Sequence, residues 1–461
     1  MSKIARTLDT NCLRVFYPKE NISTRNGQIP CVISRDVEID IEALENYCFQ
    51  RVSQTEYELA LLAGVVAFAD RAFRRKHSQG WARRIEIIMP VGEPEFWNKT
   101  KSALHDALDY LTGDCWNIEF VSRRVQLDQL KQDILSLGGG RFVVIPYSNG
   151  LDSYAQSQLL KLENGISPIR ITAWNRSITG RREWIAEPDG TKYRRVSIPV
   201  KYATDSHPEP SYRTRSFVFC VFTGVAAHLS KAEAILIPEN GQGAIGPSIV
   251  PFGSESPQRG SHPGFTRRMS VFFKTIWNQP IKFNHPQLWL TKGEVLRKLK
   301  AEKLLDGWEA TRSCPRDQRS VSLNHKAIHC GICSGCLLRR MSAFAAGLVE
   351  AKDAYLWADL SANSLQASLH ALANRRTSNN DSDIARHAVL AMAELAVKAD
   401  ASVDDPVIAQ CAFEICGGVS STDPSVLANL KRLLQNHNME WTKFVNHCGS
   451  LSWINKDTKY A

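Results

Sequence analysis

Arg141–Pro146 (RFVVIP) is a short, unbroken apolar run, and after one tyrosine comes the segment Ser148-Asn149-Gly150-Leu151-Asp152-Ser153. An uninterrupted apolar run of this length is typical of a strand buried in a parallel sheet. The small residues behind it let the backbone curl so that successive N–H groups converge into an anion nest. Downstream, YAQSQLLKL has helical texture without alternation, and Ser153-Tyr154-Ala155-Gln156 fits an S-x-x-Q capping box. That box places the expected helix start near Ser153, with the positive N-terminal end of the helix added to the nest. A hairpin is the competing reading, because Asn-Gly is the strongest short turn signal between antiparallel strands.

Around this point the chain alternates strand-like and helical texture, which implies βαβ units. Residues 54–76 read as a helix, Arg84–Val91 and Trp116–Val121 as strands, Ile169–Trp174 as a strand, 216–229 as a buried helix and Ala234–Pro238 as a strand. Between Asn240 and Gly264, 14 of 25 residues are Gly, Pro or Ser, so a structureless loop or an active-site lid is expected. Beyond residue 346 the texture reads as helical throughout, including AYLWADL, with Arg375–Asp383 as a linker. The expected organisation is an N-terminal α/β extension over 1–139, a nucleotide-binding α/β domain over 140–345 and an all-α domain over 346–461.

Charge is unevenly placed. Residues 141–345 carry 29 basic and 15 acidic side chains, while 1–140 carry 18 and 19 and 346–461 carry 10 and 13. A basic middle favours nucleotide phosphates, nucleic acid or an acidic partner. The longest apolar stretch, about 13 residues around Phe217–Leu229, falls short of the ~20 that a membrane span needs. The N-terminal MSKIARTLDTN lacks the apolar core of a signal peptide, so a cytoplasmic location is expected.

Cys314, Cys330, Cys333 and Cys336 are spaced C-x15-C-x2-C-x2-C. Four thiolates satisfy tetrahedral zinc, and Gly331 and Gly335 lie where the backbone must bend between ligands. His325 and His329 are imidazoles near enough to substitute for Cys314. An iron–sulfur cluster competes with zinc, although the bacterial ferredoxin run needs a further cysteine where Arg340 stands.

The loop and the cysteine cluster together resemble one family, 7-cyano-7-deazaguanine synthase of the queuosine pathway, an ATP pyrophosphatase of the PP-loop class. Ser148–Ser153 is similar to the family's S-G-G-x-D-S loop with Asn149 at its first glycine, and Asn tolerates the left-handed backbone required there. Arg215-Ser216-Phe217-Val218-Phe219 approximates its Arg-Asn-x-x-Phe segment, and Thr291-Lys292-Gly293-Glu294 matches its Thr-Lys-x-Glu. Cys330-Gly331-Ile332-Cys333-Ser334-Gly335-Cys336-Leu337-Leu338-Arg339 matches the zinc knot. The length of the chain, Ile237–Gly241 and His262-Pro263 look more like the branch found in Qat-type bacterial anti-phage defence systems.

What the resemblance implies is a Rossmann-like, adenine nucleotide alpha-hydrolase-like parallel sheet with a zinc knot, and a carbon–nitrogen ligase that uses ATP, Mg and Zn. A carboxylate, such as a 7-deazapurine acid, attacks the α-phosphate of ATP, and an amine or ammonia, the amine on a small molecule or a protein, then displaces AMP to give an amide; in the biosynthetic family a second activation dehydrates that amide to a nitrile. Ser148, Asn149, Gly150, Leu151, Asp152 and Ser153 are the expected nucleotide-binding residues, with Asp152, Ser153, Lys292 and Arg215 as the catalytic candidates. Glu239, Asn240 and His262 are the expected substrate-loop residues. Two other functions compete: a PP-loop tRNA-thiolating enzyme, which the basic middle suits, and a non-catalytic zinc-stabilised adaptor, which Asn149 suits.

Overall fold

The computed structural model describes residues 10–25, 27–41, 44, 51–76, 80–124, 141–174, 184–186, 192–202, 208–250, 255–316, 321–324, 326–401, 405–417 and 423–458. His325 therefore lies outside the described residues. It is a mixed α/β protein of two compact units: Met1–Tyr147, Glu163–Ile237 and Gly253–His285 form the first, and Ser148–Leu162, Pro238–Phe252 and Pro286–Ala461 the second. Among the described residues, no helix is long and apolar enough to cross a membrane.

The first unit holds two largely parallel sheets. In the smaller, β1 (Thr10–Phe16), β2 (Gln28–Val32), β4 (Arg84–Val91) and β5 (Cys115–Ser122) run parallel in the order β2-β1-β4-β5. Their side chains alternate: Leu13, Val15, Ile85, Ile87, Met89, Ile118 and Phe120 are buried, while Arg14, Glu86 and Glu119 lie on the other face. The buried residues share a core with α1 (Gln54–Ala72) and α2 (Pro94–Thr112).

The larger sheet contains β6 (Arg141–Pro146), β7 (Ile166–Trp174), β9 (Lys192–Tyr202), β10 (Ala234–Leu236) and β11 (Phe283–Asn284), ordered β11-β10-β6-β7-β9 and all parallel. β3 (Val37–Ile39) closes one edge antiparallel to β9, and β8 (Trp184–Ala186) also pairs antiparallel with β9. From β6 the chain proceeds to β7 on one side, and β10 is later laid on the other, so β6 marks the point where strand order reverses. In open α/β sheets ligands bind beyond the carboxyl ends of the strands at such a point. The buried helix α4 (Arg215–Ser230) packs on β6 and β7.

A feature invisible in the sequence stabilises this unit. Asp70 and Asp114, both buried, meet Arg75 and Arg83: Arg75 NH1 to Asp114 Oδ1 is 2.6 Å, and Arg83 NH2 to Asp70 Oδ1 is 2.6 Å. Asp70 Oδ2 also accepts the Thr214 N–H at 2.9 Å. With every charge paired and hydrogen-bonded, the desolvation cost of burial is offset.

The second unit is predominantly helical. It contains α3 (Leu151–Leu159), the short α5 (Gly241–Ala244) and α6 (Gly246–Ile249), α8 (Lys292–Ala301), α9 (Ser334–Ala345), α10 (Asn379–Val397), α11 (Pro406–Cys416), α12 (Pro424–Cys448) and α13 (Trp453–Thr458). α7 (Pro263–Trp277) belongs to the first unit. A small hairpin joins β12 (Ser322–Leu323) to β13 (Lys326–Ala327). Cys330, Cys336, Leu337 and Met341 share one core with Trp357, Val389, Trp441 and Phe444, so the helical tail and the cysteine segment fold around common side chains.

Three expectations are corrected. The stretch after Asn240 is helical over 241–249, because Ala244, Ile245 and Ile249 are buried against Leu433 and Leu434. Ser378 caps α10 through a capping box with Asp381, so Arg375–Asp383 is a helix start and not a linker. AYLWADL is not helical beyond the 3-10 turn ending at Ala354; Tyr355 and Trp357 make extended bridges to His329 and Leu369. β1, β2, β3 and β9 carry no strong strand signal and form through their partners in the sheets.

Candidate functional site: the loop before α3 and the buried cysteines

β6 and β7 are parallel, and α3 follows the loop between them. The hairpin reading of Asn149-Gly150 is thereby excluded. Asn149 takes the left-handed backbone, φ 60°, which Asn adopts more readily than other side-chain-bearing residues. The capping box at Ser153 does not form. Gly150 is the N-cap, without a side-chain cap, and the helix begins at Leu151. Ser153 lies inside the first turn, its Oγ donating to the Gly150 carbonyl at 3.0 Å. Gly150 N–H reaches Ser148 Oγ at 3.4 Å. The N–H groups of Leu151, Asp152 and Ser153 are those that an α-helix leaves without internal acceptors.

Within this unit the first turn of α3 meets residues from two distant segments. Lys292 Nζ lies 2.8 Å from Asp152 Oδ2, and Asn240 Nδ2 donates to Asp152 Oδ1 at 2.8 Å and to Glu239 Oε1 at 3.1 Å. Lys292 is the first residue of α8, whose N-cap Thr291 forms a capping box with Glu294. Two helix N-termini and one ammonium thus converge, an arrangement that favours anions. Burial disfavours the Lys292 charge, but Asp152 and then Glu239 outweigh it and hold its pKa above the ordinary value. Glu239 is pushed up to about 8, first by burial and then by Asp152, with Lys292 opposing. A Cβ on Gly243 would come within 2.2 Å of Glu239 Oε1, so a side chain there would displace the Glu239 carboxyl group.

A buried relay, which sequence reasoning missed, sets the backbone of Lys292. His437 Nε2 faces the Met392 carbonyl at 2.8 Å and so carries the proton there; Nδ1 then accepts from Gln242 Nε2 at 2.7 Å. Gln242 Oε1 in turn accepts the Lys292 N–H at 2.8 Å. Burial lowers the His437 pKa to about 4, keeping the imidazole neutral as the relay requires. Beside it, buried Glu440 accepts from Thr291 Oγ1 at 2.9 Å and Arg297 NH2 at 3.0 Å. Lone His, Gln and Glu on helices give no sequence signal of such pairing.

Cys314, Cys330, Cys333 and Cys336 are all buried, and their sulfurs lie within 4.8 Å of one another. A compact set of four thiols suits zinc, which takes four sulfur ligands tetrahedrally. Cys330 N–H points to Cys314 Sγ and Cys333 N–H to Cys330 Sγ, each at 3.4 Å. Gly331 has φ 92°, and a Cβ there would come within 2.5 Å of the Trp357 carbonyl. His329 is not among these ligands: its Nε2 accepts the Ser313 N–H at 3.2 Å. The knot is also tied to the loop, since Arg312 N–H donates to the Asn149 carbonyl at 2.9 Å.

The remaining candidates belong to the first unit. Arg215 is exposed at the start of α4, its guanidinium 5.7 Å from the Phe219 ring centre. His262, also in the first unit, is fully buried and caps α7, Nδ1 accepting the Gly264 N–H at 3.0 Å and lying 2.9 Å from the Tyr110 hydroxyl. The structure therefore brings together Ser148–Ser153, Glu239, Asn240 and Lys292. No protein-family model matches the chain, and no curated protein is detectably similar to it.

Proposed function

We propose that this chain is a PP-loop ATP pyrophosphatase similar to 7-cyano-7-deazaguanine synthase, working in the cytoplasm as an ATP-dependent carbon–nitrogen ligase. The carrying observation is the Asp152–Lys292 pair at two helix N-termini, on a loop that leaves the strand where the sheet order reverses. In this reading the polyphosphate of ATP takes the N–H groups of α3 and the Lys292 ammonium, while Asp152 gives up part of its pairing with Lys292. A substrate carboxylate attacks the α-phosphorus and the bond to pyrophosphate breaks, leaving an acyl-adenylate. An amine attacks the acyl carbon, loses a proton and expels AMP. That amine is ammonia or, by resemblance to the anti-phage defence branch, one carried by a protein.

Asp152 and Glu239 are hard oxygen donors that fit a magnesium ion. When bound, such an ion neutralises charge on the phosphates. Asn240, which donates to both carboxyl groups, holds Asp152 in place. The four cysteines would hold zinc in a structural role that fixes residues 312–314 behind the loop.

Purified protein given ATP, a 7-deazapurine carboxylic acid and ammonium ions is expected to release AMP and pyrophosphate. Asp152→Asn and Lys292→Met should each lower turnover about 10²–10³-fold with thermal melting retained. ADP and phosphate as sole products, or full activity in both variants, would overturn the proposal.

A further inference from the structure

The four-stranded sheet of the first unit has a cleft of about 480 Å³ that the reading above leaves without a role. Its walls come from the carboxyl ends of three parallel strands: Arg14 and Phe16 from β1, Ile88 and Pro90 from β4, and Ser122 from β5. The segments that follow those strands complete it, with Asn21 and Ser23 after β1 and Arg124 after β5. In the order β2-β1-β4-β5 the sequence of strands reverses at β1. The cleft thus sits where open α/β sheets bind ligands, and its volume falls in the range of small-molecule sites.

We propose that this cleft binds a mononucleotide-sized phosphate monoester. Two guanidinium-bearing residues line it, and guanidinium matches phosphate in charge and fork geometry. Arg123, next in sequence to Arg124, is committed elsewhere: it pairs at 2.6 Å with buried Glu58, which also accepts from Gly92 N–H and Trp97 Nε1 at 2.8 Å each. Arg14 and Arg124 have no such carboxylate partner among the described residues. The one acidic wall residue, Glu20, is turned onto the Tyr17 N–H at 2.7 Å. Phe16, Ile88 and Pro90 supply an apolar wall for a ring, with Arg14 lying 5.7 Å from the Phe16 ring centre. Asn21, Ser23 and Ser122 offer hydrogen bonds suited to sugar hydroxyls.

Calorimetric titration of the full chain with each of the four ribonucleoside 5′-monophosphates, the matching nucleosides and inorganic phosphate tests this. At least one monophosphate should bind more tightly than its nucleoside and more tightly than phosphate. Arg14→Gln and Arg124→Gln should each weaken it about ten- to hundred-fold, as expected for losing a charge-assisted hydrogen bond, while Asp152→Asn leaves it intact. Binding lost in Asp152→Asn but kept in both arginine variants would place the ligand at the α3 loop and overturn the inference. So would binding to none of the monophosphates, or equal binding of bare phosphate. Because Asp152→Asn and the arginine variants address different units, failure here and failure of the ligase reading are separately visible.

Discussion

At Glu239 a carboxyl group stands among groups of both signs: burial and Asp152 favour its neutral form, Lys292 its charged form, and the balance lies at about 8. An unfolded glutamate titrates near ~4.3. Between those values the folded chain binds a proton that the unfolded chain has released, so this residue makes stability fall as pH rises from about 4.5 towards 8. Glu239→Gln removes the titration. Its melting temperature should decline less than the parent's between about pH 5 and 8, and parallel melting curves for the two proteins would contradict the assignment. The same reasoning explains Gly243, whose missing Cβ is the space that Glu239 uses.

Helix α12 acts at a distance on the start of α8. Its His437 fixes the orientation of the Gln242 amide, and Gln242 accepts the first N–H of α8 at Lys292. Each link is buried, so breaking one leaves its neighbour unsatisfied. His437→Leu and Gln242→Leu should each cost about 1–3 kcal/mol in denaturant unfolding. The double variant should cost clearly less than the sum, because both changes remove the same link. Strict additivity would mean that the two side chains act independently. Helices 241–249 obey similar logic: a segment rich in Gly and Pro is helical because Ala244, Ile245 and Ile249 bury themselves against α12.

Across the second unit, the cysteine knot, the helical tail and the loop before α3 are mechanically linked. The tail supplies Trp357, Trp441 and Phe444 to the core that covers the cysteines, and the backbone two residues before Cys314 holds the Asn149 carbonyl. Stripping metal with a chelator, or Cys333→Ser, should lower the melting temperature and the zinc content together. Amide exchange should quicken at residues 148–153 as well as at 330–336. Unchanged exchange at the loop would show that knot and loop are uncoupled. A metal held by the four thiolates would contribute folding energy directly, so loss of one thiolate is expected to be felt beyond the site.

What the chain determines by itself is local. The strand Arg141–Pro146, the buried helix near 216–229 and the clustering of Cys330, Cys333 and Cys336 are legible because periodicity and ligand spacing act over a few residues. The left-handed Asn149 belongs with them, since its cause is the side chain's own stereochemistry. Tertiary structure decided the rest. The helices within 241–249 and the edge strand Val37–Ile39 depend on partners remote along the chain. So does the relay from His437 to Gln242, whose members stand 195 residues apart. Hydrogen bonds and burial are satisfied by whichever group the fold delivers, and no local pattern records which one that will be.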